Sequence, residues 1–469
     1  MKTNRVIKIF LASSEELEAD RYRFGNLIRK LDNIYEKRGI RIELFEWEDY
    51  DAAYNGMRKQ DEYNERVRAS DMFLALFHKK AGKFTIEEFN IARKAFDEQA
   101  SPKIYTYIKD LEAGESESRE LAEFKRLMLE ELGHYWCRYS NFDTMQLHFV
   151  LQLQMVEATT PIKVEVKESQ VKIGDSTIAD LNNVPFTSEN ATHRELQSRK
   201  EQLDREIGNA ESGGRRGFFG QRSRMTDEEL ANLREERESV TEQIERQEKA
   251  LVDTAMSIAR MQGGECSPRM RTAAELFEKG EIDKAGAVLK EDDMEADATN
   301  AKLKFDTAAQ PTAELTRNIE RCAGEYMLKA RIVVSGIADE SRYRQAVKLM
   351  STAIDLVSGR LPEETLAEYL FDYAVLLTDV GQQTKALETW ERLSGIYERL
   401  YRKAPQKYAY GYAGVLNNMA VLYSDKGDFD HCLSKYLKAV ATPKHFAANN
   451  EEHNRALCNA VISERDLRE

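Results

Sequence analysis

The sequence predicts a multidomain protein of the α/β plus α class, in which a parallel-sheet domain precedes a long helical region. Three observations support this fold class. Strand-like apolar runs alternate with amphipathic helices over residues 1–158, a highly charged segment with a narrow apolar seam covers residues 191–262, and small residues recur at a fixed interval over residues 263–469. Residues 159–190 form a short connector between the first two regions.

The amino-terminal region contains five strand-like runs, and a helical pattern follows each of them. The expected strands are 6–12, 40–47, 72–77, 103–108 and 135–138, and the expected helices are 15–37, 58–69, 85–98, 117–132 and 142–157. Repeated strand–helix units form a parallel sheet with helices on both faces. The run Met72–Phe77 is apolar throughout, which predicts a central strand buried on both sides. In the helix that follows it, we expect Phe89, Ala92 and Phe96 to face the sheet.

The connector at 159–190 alternates apolar and polar residues around a Gly174–Asp175 turn signal, which predicts a small β unit. In the charged segment, apolar residues follow steps of 7, 4 and 7 from Leu233 to Leu251, the pattern of a coiled-coil seam. A glycine-rich stretch at 211–224 interrupts this pattern and predicts the tip of an antiparallel helical hairpin. Its arginines and phenylalanines fit either a disordered loop or a contact with nucleic acid or membrane.

Residues 263–469 contain a repeat of 46 residues. The matching pairs are Ala374 and Ala420, Gly381 and Gly427, and Leu387 and Leu433. Each pair falls in a unit of helix, glycine-containing turn and second helix, which is typical of an α-solenoid. The region resembles tetratricopeptide repeats with lengthened helices. That resemblance implies a TPR-like α-solenoid whose concave surface binds a peptide or a protein partner.

Composition excludes several classes of function. The formal net charge of −13 argues against nonspecific nucleic-acid binding by the whole surface. The five cysteines are scattered and form no CxxC pair, so we expect a reducing compartment and no metal site; they are Cys137, Cys266, Cys322, Cys432 and Cys458. No run is long and apolar enough to span a bilayer. We therefore expect a cytoplasmic protein without a membrane partner.

The segment Ser70–Ala92 is the most informative part of the chain. Its buried strand is followed by a short basic loop and a helix start that contains Glu87 and Glu88. Open α/β sheets bind ligands outside the carboxyl ends of their strands, so this edge is the expected site. Thr85 and Glu88 also match a capping box, in which a threonine N-cap and a glutamate three residues later satisfy the helix start. Glu88 is therefore either a functional carboxylate or a helix cap.

Four pieces of the amino-terminal region together resemble a TIR domain. They are IFLASSEE at 9–16, ELFEWED at 43–49, RASDMFLALF at 68–77, and an aromatic residue, Phe84, four places before Glu88. The family commonly has Trp where Phe84 stands, a small hydroxyl residue where His78 stands, and arginine near Ser13 and Ser14. The resemblance implies a flavodoxin-like parallel sheet over about residues 4–158, of a divergent bacterial type.

Many TIR domains cleave the N-glycosidic bond of NAD⁺, which would be a substrate here and not a cofactor. Nicotinamide is already a cationic leaving group, so one carboxylate that stabilises the oxocarbenium-like transition state can suffice. The resemblance makes Glu88 the catalytic residue. It places five other residues at the substrate, through stacking or hydrogen bonds: Ser13, Ser14, Trp47, Phe84 and Glu87.

Two functions follow as hypotheses. The first is an NAD⁺ glycohydrolase or cyclase effector of prokaryotic immune signalling, whose repeat domain senses a trigger or drives assembly into a homo-oligomer. The second is a non-catalytic scaffold that uses the TIR-like domain and the TPR-like repeats only for protein–protein contacts.

Overall fold

The computed structural model describes residues 5–36, 39–46, 59–130, 136–156, 164–212, 226–261, 266–336 and 339–442. They form two compact units. Within the described ranges, the first unit contains the residues up to 153 and 164–198, and the second contains 154–156, 199–261 and 266–442. The four predicted domains, with boundaries at 158, 190 and 262, stay a prediction.

A five-stranded parallel sheet is the centre of the first unit. Its strands are β1 (Arg5–Ser13), β2 (Ile40–Phe45), β3 (Met72–Phe77), β4 (Lys103–Lys109) and β5 (Cys137–Tyr139). The spatial order is β2-β1-β3-β4-β5, and every neighbouring pair is parallel, which confirms the predicted sheet. All six residues of β3 are buried, as expected for a central strand. This is a doubly wound order. Strand β2 is added on one side of β1 and the later strands on the other side, so the strand order reverses between β1 and β3.

Five helices accompany these strands. They are α1 (Glu18–Glu36), α2 (Lys59–Arg68), α3 (Lys83–Gln99), α4 (Arg119–Glu130) and α5 (Phe142–Val156). Aromatic side chains dominate the core between α3, α4 and β3, where the ring of Phe124 lies 5.0 Å from those of both Phe77 and Phe89. Phe89 and Ala92 face the sheet as predicted. Phe96 does not: 45% of its surface is exposed, because it turns away from the sheet where α3 nears its end.

A three-stranded antiparallel sheet follows, built from β6 (Val164–Lys167), β7 (Gln170–Ile173) and β8 (Ser176–Asp180). Two residues with positive φ, Glu168 and Ser169, form the turn between β6 and β7. This pair of left-handed residues matches the twist of a two-residue hairpin. The short α6 (Pro185–Ser188) comes after the third strand.

Two long helices, α7 (Ala191–Ser212) and α8 (Asp227–Arg260), run antiparallel over part of their length. Ion pairs join them, from Arg199 to Glu236 at 2.6 Å and from Arg237 to Asp204 at 2.9 Å. The apolar seam residues lie buried at Leu203, Val240, Ile244 and Leu251. The predicted tip begins later than expected, because α7 continues through Ser212. The rest of the tip lies outside the described residues.

Nine helices of the described chain follow and stack on their neighbours. They are α9 (Pro268–Glu278), α10 (Ile282–Val288), α11 (Glu291–Thr307), α12 (Ala313–Val334), α13 (Glu340–Val357), α14 (Glu363–Asp379), α15 (Gln383–Lys403), α16 (Pro405–Asp425) and α17 (Phe429–Ala441). Gly381 and Gly427 hold equivalent turns with φ of 71° and 72°, a conformation that glycine adopts without strain. Ala374 and Ala420, seven residues before these glycines, are both fully buried. The helical repeat is therefore present.

Among the residues described above, no helix combines the length and the apolar character that crossing a membrane requires. Four cysteines fall in these ranges, and all four are free thiols: Cys137, Cys266, Cys322 and Cys432.

Candidate functional site

The candidate site lies at the carboxyl edge of the parallel sheet, where β1 and β3 end side by side. Ser13 at the end of β1 pairs in register with Leu76, one residue before the end of β3. The loops that leave these two strands meet at the reversal point of the sheet, which is where doubly wound domains bind ligands. The structure places Ser13, Ser14, His78 and Lys79 together at this edge.

A buried arginine fixes the loop after β1. Arg21, which is 2% exposed on α1, donates from Nη1 to Ser13 Oγ and to the Ser14 carbonyl oxygen, both at 2.9 Å. The Ser13 hydroxyl, which we expected to contact substrate, therefore has a partner within the chain. The guanidinium of Arg21 therefore contacts this loop, although the sequence has no arginine beside Ser13.

The carboxylate of Glu16, in the segment after β1, contacts the loop after β3. Glu16 Oε1 accepts hydrogen bonds from the backbone N–H of Lys79 at 2.9 Å and of Lys80 at 3.2 Å. The Ser14 hydroxyl donates to the same oxygen at 3.3 Å. Three donors thus surround one carboxylate oxygen at the sheet edge. The role of Glu16 is not visible in the sequence, because only the folded loop shows which amides point at it.

A second carboxylate reaches the same basic loop from the segment between β4 and α4. Glu115 Oε1 pairs with Lys79 Nζ, and Glu115 Oε2 lies 3.3 Å from His78 Nε2 without the alignment of a hydrogen bond. The hydrogen bond from Lys79 lowers the pKa of the Glu115 carboxyl, and the same contact raises the pKa of Lys79. Ser118 N donates to the Lys79 carbonyl at 2.7 Å, so two neighbouring loops hold the backbone here.

Glu88 is not a helix cap. Helix α3 begins at Lys83, and its N-cap is Gly82 in an extended conformation with φ −63° and ψ 138°. The first helical bond runs from Ile86 N to the Gly82 carbonyl at 3.0 Å, so Thr85 lies inside the first turn. The predicted capping box is wrong for this physical reason. Glu88 falls in the second turn, where the backbone N–H groups already have helical partners, and its side chain is 7% exposed.

The other predicted substrate-binding residues are not gathered into one pocket by the described contacts. Phe84 is 57% exposed on the first turn of α3. Glu87 accepts a hydrogen bond at Oε1 from Asn64 Nδ2 on α2, at 3.1 Å. Trp47 lies outside the described residues, so its expected place near Glu88 stays a prediction.

A buried polar cluster at the ends of β4 and β5 was also missed. Asp20, 4% exposed on α1, accepts at Oδ2 from Lys109 Nζ at 2.9 Å and from the Tyr139 hydroxyl at 3.1 Å. Burial and the neighbouring Asp20 carboxylate raise the pKa of Tyr139. The sequence does contain an indication of this cluster: Asp20 lies on the apolar stripe of α1, between Leu17 and Phe24. Because a paired lysine neutralises it, this cluster supports the sheet edge structurally.

Two further observations bear on the site. Within the described ranges, no group of three His, Cys, Asp or Glu side chains is placed to hold a metal ion. An open groove also lies between α7 and α8, far along the chain from the sheet edge, and its lining includes Asp204, Arg237 and Glu245. The groove is open and lined mainly by charged side chains, unlike the largely apolar pockets that bind small molecules, so the sheet edge remains the better candidate.

Comparisons with known proteins identify no family. No protein-family model matches the chain, and no curated protein matches it. A match among solved structures is a Signal Transduction ATPase with Numerous Domains (STAND) protein with a tetratricopeptide repeat sensor from Pyrococcus horikoshii. It shares 11% identity over 97% of this chain and 82% of that chain, with a TM-score of 0.24. A TM-score this low supports no conclusion about this chain.

Proposed function

We propose that the parallel-sheet domain cleaves the N-glycosidic bond of NAD⁺ and that the helical repeats control this activity as a sensor. The observation that supports this most is the position of Glu88. It is a buried carboxylate in the second turn of α3, and no capping role explains it. A buried carboxylate is costly unless it is paired or hydrogen-bonded, so the surroundings of Glu88 hold it in place. The TIR-like pattern of the sequence supplies the chemistry.

The reaction asks little of the protein beyond one carboxylate. As nicotinamide leaves, positive charge develops on the ribose, and a carboxylate held in place stabilises it electrostatically. Glu88 would take this role. The bond between the ribose carbon and the nicotinamide nitrogen breaks, the electron pair leaves with the neutral nicotinamide, and water or an adenine nitrogen attacks the ribose.

The repeat helices fit the part of a sensor because stacked repeats offer an extended surface for a protein or peptide. Binding there, or association of several chains, would complete the NAD⁺ pocket. Activity would then depend steeply on protein concentration or on a trigger, in keeping with an effector in prokaryotic immune signalling.

The test is nicotinamide release from NAD⁺ over a range of concentrations of the full chain. We expect release by the wild type and a loss of at least about a hundredfold in Glu88→Gln, since removing one stabilising group from a transition state costs on that order. Glu98→Gln is the matched control, because Glu98 is exposed on the same helix and loses the same charge. Equal rates for the two variants would overturn the catalytic role of Glu88.

A second candidate function is a non-catalytic scaffold. Helix α3 exposes two large aromatic rings, Phe84 at 57% and Phe96 at 45%, and exposed aromatics are enriched at protein interfaces. In this case the assembled protein would release no nicotinamide at any concentration.

A further inference from the structure

The hydrogen bonds around Glu16 form an anion-binding arrangement. One oxygen, Glu16 Oε1, accepts from Lys79 N at 2.9 Å, from Lys80 N at 3.2 Å and from the Ser14 hydroxyl at 3.3 Å. The donors come from two different loops, and two of them are successive backbone amides. Successive amides that point at one centre bind the oxygens of phosphates and other anions. The protein's own carboxylate occupies that centre in this structure.

The Glu16 carboxylate can be displaced from these three donors. Glu16 is exposed on a single turn before α1, next to the buried Leu17, and its side chain reaches the loop after β3. Among the described residues, the carboxylate of Glu16 has only these three hydrogen-bond donors, and all three contacts are exposed. An anion with more than one acceptor oxygen and a higher charge can therefore compete for the same donors.

The surrounding charge favours such a ligand. Lys80 is exposed on this loop and Lys83 is exposed at the first position of α3, and neither ammonium group has an ion-pair partner among the described residues. Lys79 differs, because its ammonium group is paired with Glu115. The chain segment that carries the two amide donors therefore also carries two lysines without an ion-pair partner in the described part of the chain, and positive charge there favours a phosphate ligand.

The position in the fold agrees with this. The donors lie where β1 and β3 end, at the reversal point of the sheet, and nucleotides bind at that point in doubly wound domains. Helix α3, which contains Glu88, begins four residues after Lys79. A ligand seated at this edge would therefore extend along the same face as the start of α3.

We infer that Ser14, Lys79 and Lys80 form a diphosphate-binding site, occupied by Glu16 until the diphosphate of a dinucleotide displaces it. The site deepens the proposed function, on which the choice of a dinucleotide rests, by giving NAD⁺ a place for its phosphates. It makes Glu16 a resident competitor that lowers the affinity of the free protein for nucleotide.

The experiment measures binding of inorganic pyrophosphate, ADP-ribose and orthophosphate to the full chain by calorimetry. We expect Glu16→Gln to bind pyrophosphate and ADP-ribose at least about tenfold more tightly than the wild type, because a neutral amide competes less well for the donors. Glu18→Gln is the matched control, since Glu18 is exposed two residues away and loses the same charge. Adding Ser14→Ala to Glu16→Gln should reverse part of the gain.

Equal pyrophosphate affinity in Glu16→Gln and Glu18→Gln would overturn the site. Tighter binding of orthophosphate alone would overturn the assignment to a dinucleotide. If Glu16→Gln fails to fold, the wild type decides: millimolar pyrophosphate should shift the backbone amide resonances of Lys79 and Lys80 and leave unmoved that of Gly174, in the turn between β7 and β8. No shift at those two amides would equally overturn it. None of these readouts involves cleavage of NAD⁺, so they test the diphosphate site independently of the catalytic proposal.

Discussion

At the scale of single residues, His148 shows how burial sets the charge of a side chain. Its Nδ1 lies 3.0 Å from the hydroxyl of Tyr107, and burial lowers the pKa of the imidazole to about 4. The folded protein therefore keeps His148 neutral well below neutral pH. The unfolded chain protonates it near the ordinary value of 6.5. Acid thus favours the unfolded state, and stability falls as the pH drops from about 6.5 towards 4.

Replacing His148 should remove this pH dependence. Between pH 7 and pH 5 the wild type should lose up to about 2 kcal/mol of stability that His148→Gln keeps, because the glutamine does not titrate. Hydrogen exchange of the β4 amides at both pH values measures the opening of this sheet. His431→Gln, a change at a histidine that is 63% exposed, serves as the control. The same loss of protection in wild type and His148→Gln would contradict the prediction.

The residues of the candidate site were only partly predictable. Ser13 and Ser14 could be placed at the sheet edge, because an apolar run ends just before them and the run predicts the strand. Their partners could not, since Arg21 and Glu16 reach them through a turn whose geometry no periodicity encodes. Sequence patterns locate the strand ends, and the folded loops decide which donors and acceptors meet there.

At the scale of elements, the start of α3 shows the limit of a local motif. Threonine with a glutamate three residues later predicts a helix that begins after Thr85, yet the helix begins at Lys83 because Gly82 takes the extended N-cap conformation. Helix α8 has the same kind of motif, and there Thr226 and Glu229 do form a capping box. The existence of both helices was predictable from their apolar stripes. Their first residues depended on the preceding loops.

Helices α12 and α14 are joined by an ion pair in a poorly solvated place. Arg331 Nη2 lies 2.5 Å from Asp372 Oδ2, and the two side chains are 15% and 21% exposed. Asp372→Asn would leave the guanidinium without its closest counter-charge, which should cost about 3 kcal/mol. Hydrogen exchange of the α12 amides measures the loss.

The control for this pair is Asp283→Asn, whose partner Arg342 lies 3.3 Å away and whose own side chain is 85% exposed. An exposed pair contributes less than about 1 kcal/mol, so this variant should remain close to the wild type. Similar effects of the two substitutions would show that the α12–α14 pair is not desolvated as the structure has it.

At the scale of the whole molecule, the alternation of strands and helices and the 46-residue repeat predicted both kinds of architecture. The parallel order of the strands follows from repeated strand–helix units, and the stacked helices follow from the recurring glycines and alanines. The functional contacts at the sheet edge could not be predicted from the sequence in the same way. It depends on contacts between loops far apart in sequence, such as those of Glu16 and Glu115 with the loop after β3.

Two compact units, each with its own apolar core, predict two unfolding transitions in calorimetry of the full chain. Asp372→Asn lies in the second unit and should lower only one melting temperature, by on the order of 10 °C, given its cost and the size of that unit. His148→Gln lies in the first unit and should change only the other transition, most clearly at pH 5. A single transition that both substitutions move together would mean that the two units unfold as one cooperative structure.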